Sequence, residues 1–154
     1  MKSSQLFLEI KTDLKRYKSK INDNNKDISE NHFSIDYIMS KYNKDNFIEI
    51  TNLSFPESDD EIDEKELDDF QKRIDYFFSL YAPDDEDFRE FIKLISIYLT
   101  FIAKRPLHPP GIKFSDGKCV YEKQNIYYCT RKNEFIKNEM SLCKYCVCKQ
   151  TDTK

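Results

Sequence analysis

Glycine is nearly missing: Gly111 and Gly117 are the only two in 154 residues, and tryptophan does not occur. So few glycines exclude a phosphate-binding loop and a dinucleotide fingerprint, both of which bring bare backbone against a phosphate. They also argue against a sheet-rich fold with many tight turns. Histidine occurs only as His32 and His108, so no H-E-x-x-H helix is possible, and no serine elbow is present. An enzyme of a familiar class is not expected. No apolar run is long enough to span a bilayer; the most apolar stretch, 91–103, is interrupted by Lys93. The start, Met1-Lys2-Ser3-Ser4-Gln5, leads into an amphipathic stretch and not into the apolar region of a secretory signal. The expectation is a cytoplasmic protein without a membrane partner. Cysteine is missing from the first 118 residues.

What the chain has in quantity is charge and aromatic rings. Charged residues make up 34% and hydrophobic residues 39%, which predicts a small core under a heavily charged surface. Twelve Phe and ten Tyr supply the large apolar area. Between Asp59 and Glu90 there are 14 acidic and 4 basic residues, a net of -10; from Phe101 to Lys154 there are 11 basic and 5 acidic, a net of +6. Two regions of opposite sign attract within one fold, or the basic end meets an anionic partner such as nucleic acid. The basic residues are spread out, which favours the internal reading.

Helical periodicity dominates up to Arg105. Leu6, Ile10, Leu14, Tyr17 and Ile21 form one stripe, with Ser3 or Ser4 as the cap. The run Asn22-Asp23-Asn24-Asn25 reads as a loop. A second helix is predicted over 29–42, with Phe33, Tyr37, Ile38 and Tyr42 on one face. Residues 47–53 are ambiguous between helix and extended chain, and Pro56 ends them. Ser58 and Glu61 have the spacing of a capping box, which predicts a third helix from about 59 with Ile62, Leu67, Phe70, Ile74, Phe77, Phe78 and Tyr81 as its apolar stripe. A fourth helix opens at Asp84-Asp85-Glu86-Asp87, carboxylates that suit the positive end of a helix dipole. It buries Phe88, Phe91, Ile92, Ile95, Leu99 and Ile102 and forms the centre of the core. Arg105-Pro106 stops it. Placement at helix starts and polar faces also explains the pairs Asp59-Asp60, Asp68-Asp69 and Asp84-Asp85 without any acid–base role.

After Pro106 the texture changes. The stretch 106–111 reads as a stiff connector, 118–130 as a β-hairpin, 133–142 as a short helix or loop, and the end as a polar tail. The fold class that follows is mainly α: a bundle of about four helices over 1–105, with a small hairpin-bearing cysteine module over 106–154 docked on it as one folding unit.

All five cysteines, Cys119, Cys129, Cys143, Cys146 and Cys148, lie in that module. Thiols used as small apolar core residues would scatter over the helices. Clustered thiols in a reducing compartment read as metal ligands or redox groups. Cys143-Lys144-Tyr145-Cys146 is a C-x-x-C, whose spacing lets two sulfurs reach one tetrahedral ion from a single turn. If the hairpin loop is Lys123-Gln124-Asn125, Cys119 faces Cys129 on one side of the sheet. A two-residue loop would place them on opposite faces. Three ligand sets follow: Cys119, Cys129, Cys143 and Cys146; or Cys129, Cys143, Cys146 and Cys148, with Cys119 as a packed thiol; or three cysteines with His108. Zinc is the first expectation, since a small module without its own core needs a staple, and an iron–sulfur cluster is the alternative. A thiol redox pair is a further reading.

Lys104, Arg105 and His108 on the stiff connector are candidates for holding an anion or a partner. The plainer reading is a basic helix end that complements the dipole, followed by a proline break. His32 reads as a surface residue. Tyr121, Tyr127, Tyr128 and Tyr145 are more simply packing around the cysteines than stacking platforms for bases.

The segments 101–109, Tyr127-Tyr128-Cys129 and Ser141-Leu142-Cys143-Lys144-Tyr145-Cys146 resemble a family of uncharacterised archaeal proteins found mainly in methanogens, catalogued as a domain of unknown function. The motif-bearing part is the last third of the chain. The resemblance implies a cytoplasmic archaeal protein and brings no activity with it. From the residues, the expected role is a metal-stabilised module that binds another macromolecule, a protein before a nucleic acid.

Overall fold

The structure is a computed structural model, and residues 1–19 and 34–151 are described. Four long helices form the bundle among the described residues: α1, Ser3–Leu14; α2, Ile35–Asn52; α3, Glu64–Tyr81; and α4, Glu86–Ile97. The module adds a two-stranded antiparallel sheet of β1, Val120–Lys123, and β2, Ile126–Cys129, and a short helix α5, Lys132–Phe135. None of the described helices is long and apolar enough to cross a membrane.

The stripe of α1 is as expected: Leu6, Ile10 and Leu14 are buried, as is Tyr17 in the 3-10 turn that follows, while Ile21 lies outside the described residues. Its cap is not. Ser3 and Ser4 do not cap the helix with their side chains; the Ser4 N–H donates to Asp59 Oδ1 at 3.0 Å, so a distant carboxylate satisfies the orphan donor. The same loop accounts for the failure of the predicted capping box. The N–H of Ser3 donates to the Asp60 carbonyl at 2.8 Å, and that of Ile62 to the Met1 carbonyl at 2.8 Å. Residues 59–62 therefore pair with the chain start, and α3 begins later, with the Asp63 side chain accepting from the N–H of Lys65 at 2.9 Å.

Helix α2 runs ten residues beyond the expected end at Tyr42, so the ambiguous stretch 47–52 is helical. Ser34 caps it, accepting from the Tyr37 N–H at 3.1 Å; the expected start at 29 and Phe33 lie outside the described residues, as do His32 and the loop 22–25. Phe47 and Ile50 face the core. In α3 the buried residues are Leu67, Phe70, Ile74 and Phe78, spaced by three, four and four.

Helix α4 passes into a π-helical turn, Tyr98–Ala103, closed by the N–H of Arg105 on the Leu99 carbonyl at 2.9 Å. The wider turn buries four consecutive residues, Tyr98, Leu99, Thr100 and Phe101. Ile95 and Leu99 are 0% and 1% exposed, so this is the central helix, as its apolar width implies.

The far end of α3 and α4 departs from the pattern. Phe77, Tyr81 and Phe88, expected in the core, are 51%, 72% and 48% exposed. Periodicity gives the face of a helix but not how far its neighbours reach along it.

The module docks through aromatic and polar contacts. The Tyr145 ring meets Phe70 edge-on at 5.8 Å, and its hydroxyl donates to Asp69. Arg73 donates to the Ser141 carbonyl at 2.8 Å, and the Tyr42 hydroxyl to the Pro106 carbonyl at 2.6 Å. Phe70 is thus shared between bundle and module. Phe70→Ala is expected to lower stability by about 3–5 kcal/mol in urea unfolding, since a large buried ring leaves a cavity. Phe55→Ala, at a ring 78% exposed, should change it by less than about 0.5 kcal/mol.

Candidate functional site

The connector folds back into the module by means of the two glycines. Gly111 and Gly117 have φ of 94° and 84°, a conformation that side chains with a Cβ adopt rarely. The Gly117 N–H closes a turn on the Phe114 carbonyl at 2.9 Å, which lays 112–114 against 118–120. Ile112, Phe114 and Val120 bury there with Cys129 and Cys148, and Ile35, Ile38 and Met39 of α2 pack on them. The module therefore has a small core of its own, contrary to the expectation that it has none.

The hairpin register corrects the expected one. Val120, not Cys119, pairs with Cys129, and Lys123 pairs with Ile126 across a two-residue loop. Gln124 and Asn125 both take positive φ, 54° and 64°, as a tight turn of the primed kind requires. Cys119 instead pairs with Thr130, exchanging an N–H to Oγ1 bond of 2.9 Å and an N–H to carbonyl bond of 3.0 Å.

The tail then closes on β2. The Lys149 N–H donates to the Tyr127 carbonyl at 2.9 Å, and the Cys129 N–H to the Lys149 carbonyl at 3.1 Å. This parallel pairing brings Cys148 beside Cys129. Ser141 caps the turn Leu142–Lys144 by accepting from the Cys143 N–H at 3.0 Å. Cys129 lies within electrostatic range of Cys143, Cys146 and Cys148. Among the described residues, no three or more His, Cys, Asp and Glu side chains are gathered as a ready-made metal site.

The sulfurs are unevenly solvated. Burial pushes the Cys129 thiol up, while the N–H groups of Arg131 and Lys132 donate to its sulfur and oppose this. The Cys148 thiol donates to Cys146, and that bond is the main reason the Cys146 pKa falls to about 6. The N–H groups of Leu107 and Cys148 add to the effect, burial works against it, and the Lys132 ammonium favours the thiolate. Cys148 moves the other way, held protonated by the same bond and by burial.

Lys132 was not legible as a site residue. Its side chain is buried, and Nζ donates to the carbonyls of Cys146 at 2.8 Å and Cys148 at 2.6 Å. Its position three residues after Cys129 is the only trace in the sequence.

The connector candidates do not converge. Arg105 is ion-paired with Glu49, which also accepts from the Tyr98 hydroxyl at 2.8 Å. Lys104 is exposed, with φ of 56°. His108 stands edge-on to Phe114 at 5.1 Å. Protein crowding and the Arg131 guanidinium lower its pKa, and the part of the ring still open to water limits how far. Two other basic residues of the module are paired within it: Lys118 with Glu134 at 2.9 Å and Arg131 with Asp116 at 3.7 Å.

Residues 4–151 match the profile of a family described as "uncharacterized protein conserved in archaea" (DUF2115). A UPF0305 protein of Methanocaldococcus jannaschii is 44% identical over 115 residues, 74% of this chain and 70% of that one. One from Methanococcus maripaludis C6 is 40% identical over 102 residues, 66% and 62% of the two chains. A third, from Methanothermobacter thermautotrophicus, is 33% identical over 87 residues, 56% and 53%. No solved structure matches the chain.

The low Cys146 pKa has a readable consequence. In reduced, metal-free protein, alkylation of one thiol should rise through about pH 6 and then level off, where an ordinary thiol titrates near 9. Cys146→Ser should remove that phase and Cys119→Ser should keep it. Because the folded value lies below the unfolded one, ionisation of Cys146 adds stability as pH rises from about 6, in full above 9. Cys148, held protonated, acts in the opposite sense above 9.

Proposed function

The chain belongs to this archaeal family, and for it we propose a metal-stabilised binding protein whose C-terminal module is closed by a zinc-type ion on Cys129, Cys143, Cys146 and Cys148. One observation supports the reading: Cys143, Cys146 and Cys148 all lie within electrostatic range of Cys129, and backbone N–H groups already donate to the sulfurs of Cys129 and Cys146. Donors of this kind stabilise thiolates, which are the ligating form of cysteine. A bound ion would supply cross-linking free energy to a module with only a small core. Arg131 and Lys132 would orient Cys129, the Leu107 N–H would tie the connector to Cys146, and the Lys132 ammonium would offset the negative charge of four thiolates. Cys119 is left to its pairing with Thr130, so the set with Cys148 is favoured over the set with Cys119. The closed module, fixed on α3 by Tyr145 and Arg73, serves as part of a rigid scaffold for a protein partner. Arg105, Lys118 and Arg131 are paired with Glu49, Glu134 and Asp116, which leaves fewer cations of this region for a nucleic acid.

A thiol redox pair is the second reading. It rests on the direct hydrogen bond between Cys148 and Cys146.

Elemental analysis of anaerobically purified protein decides between them. About one zinc per chain and no colour are expected. Serine at Cys129, Cys143, Cys146 or Cys148 should cost the metal, and Cys119→Ser should retain it. Metal-free protein that also gives no thiolate-to-metal absorption on cobalt titration would sink the zinc reading; a brown protein with stoichiometric iron would replace it by a cluster.

A further inference from the structure

Helices α3 and α4 carry more aromatic surface than the core uses. Tyr76, Phe77, Leu80 and Tyr81 lie on one face of the last turns of α3 and are 47%, 51%, 57% and 72% exposed. Phe88, 48% exposed, joins them from α4. Phe77 meets Tyr81 at 4.7 Å, and the buried ring of Phe78 beneath links Phe77, at 5.6 Å, to Phe88, at 5.7 Å. A single exposed ring needs no explanation, whereas a contiguous aromatic patch on one end of a hairpin is the mark of an interaction site. Phe and Tyr are also among the residue types that carry binding energy at such sites, because they bring large area with few rotatable bonds.

Beside the patch, the loop between the helices forms an open hollow of about 480 Å³ lined by Pro83, Asp84, Asp85, Glu86 and Asp87. Between Asp75 and Lys93 there are six acidic and two basic residues, a net of -4. The two basic ones, Arg89 and Lys93, are engaged by Asp75, Glu86 and Glu90 at 2.6–3.7 Å. A carboxylate-lined hollow against an aromatic face accommodates a Lys or Arg side chain whose neighbours are apolar. A second copy placed patch to patch would instead bring two such acidic loops together, at an electrostatic cost.

We propose that the aromatic end of the α3–α4 hairpin is the docking surface for a cationic amphipathic segment of a partner protein, its apolar face on Phe77 and Tyr81 and its basic residues over Asp84–Asp87. The surface is on the helical bundle, so the inference stands whether or not the thiolates hold a metal.

The probe is a synthetic helical peptide of about 18 residues, leucine and lysine in helical spacing, with one tryptophan as reporter. The full chain has no tryptophan, so the fluorescence reports the peptide alone. Saturable binding that weakens with added salt is expected. The double variant Phe77→Ser with Tyr81→Ser should lose about tenfold or more in affinity. Asp84→Asn with Glu86→Gln should weaken binding and flatten its salt dependence; Asp85 is spared because it caps α4. A peptide with glutamate in place of lysine should not bind. All four substituted positions are exposed, so the variants should melt with the wild type. Three results overturn the proposal: no binding by the wild type, equal binding by the aromatic variant, or a wild-type dimer in sedimentation that Phe77→Ser dissociates.

Discussion

Two residues in left-handed conformation, Gln124 and Asn125, set the register of β1 against β2, and that register decides which sulfurs can meet. Side chains alternate across a strand, so a slip of one residue would set Cys119, and not Val120, opposite Cys129 on one face of the sheet. With the observed register, Val120 and Cys129 face inward together, and the pairing of Lys149 with Tyr128 lowers Cys148 onto them. The next two residues after Thr130 then aim their N–H groups at the Cys129 sulfur. Each step is a backbone consequence of the one before. That explains how Cys129 and Cys148 come together with little side-chain packing to hold them.

The module borrows the rest of its stability from the bundle. Its own buried residues are few, and they pack on Ile35, Ile38 and Met39 of α2. Tyr145 inserts between Phe70 and Phe101, with centroids at 5.8 and 6.3 Å. Its hydroxyl holds Asp69, the carboxylate that also pairs with Arg73 at 3.0 Å, and Arg73 in turn reaches the Ser141 carbonyl. The turn that carries Cys143 and Cys146 is therefore bracketed by contacts to α3. The C-x-x-C turn and the docking of the module are coupled by geometry, because Tyr145 lies inside the C-x-x-C itself.

Legibility followed the range of the interaction. The stripes of α1, α3 and α4 were readable because helical packing repeats every three or four residues. The C-x-x-C and the hairpin were readable for the same local reason. The capping box at Ser58 misled because a nonlocal pairing of 59–62 with the chain start outweighs a local cap. The hairpin register was missed because Gln124-Asn125 lacks the glycine that marks most tight hairpins. Lys132 was missed because a lysine normally keeps its ammonium in water, and only the folded tail supplies the two carbonyls that bury it.

Charge shows the limit of reading composition alone. The acidic stretch and the basic end were expected to attract each other, yet their meeting is narrow, with Asp69 held low chiefly by Tyr145 and then by Arg73 and Lys144. Elsewhere some charges of each region are paired nearby. Lys118, Arg131 and Lys132 are taken up by Glu134, Asp116 and tail carbonyls within the module. Arg89 and Lys93 answer only part of the acid at the α3–α4 end. The pairings with Glu134 and Asp116 leave the +6 of the sequence end unchanged, because both acids are already counted in it, while the carboxylates at 84–87 line an open hollow. The aromatic rings sit beside those carboxylates, so a partner at this end meets negative charge and apolar surface together. The charge asymmetry that allows an anionic partner at the basic end therefore also allows a cationic one at the acidic end.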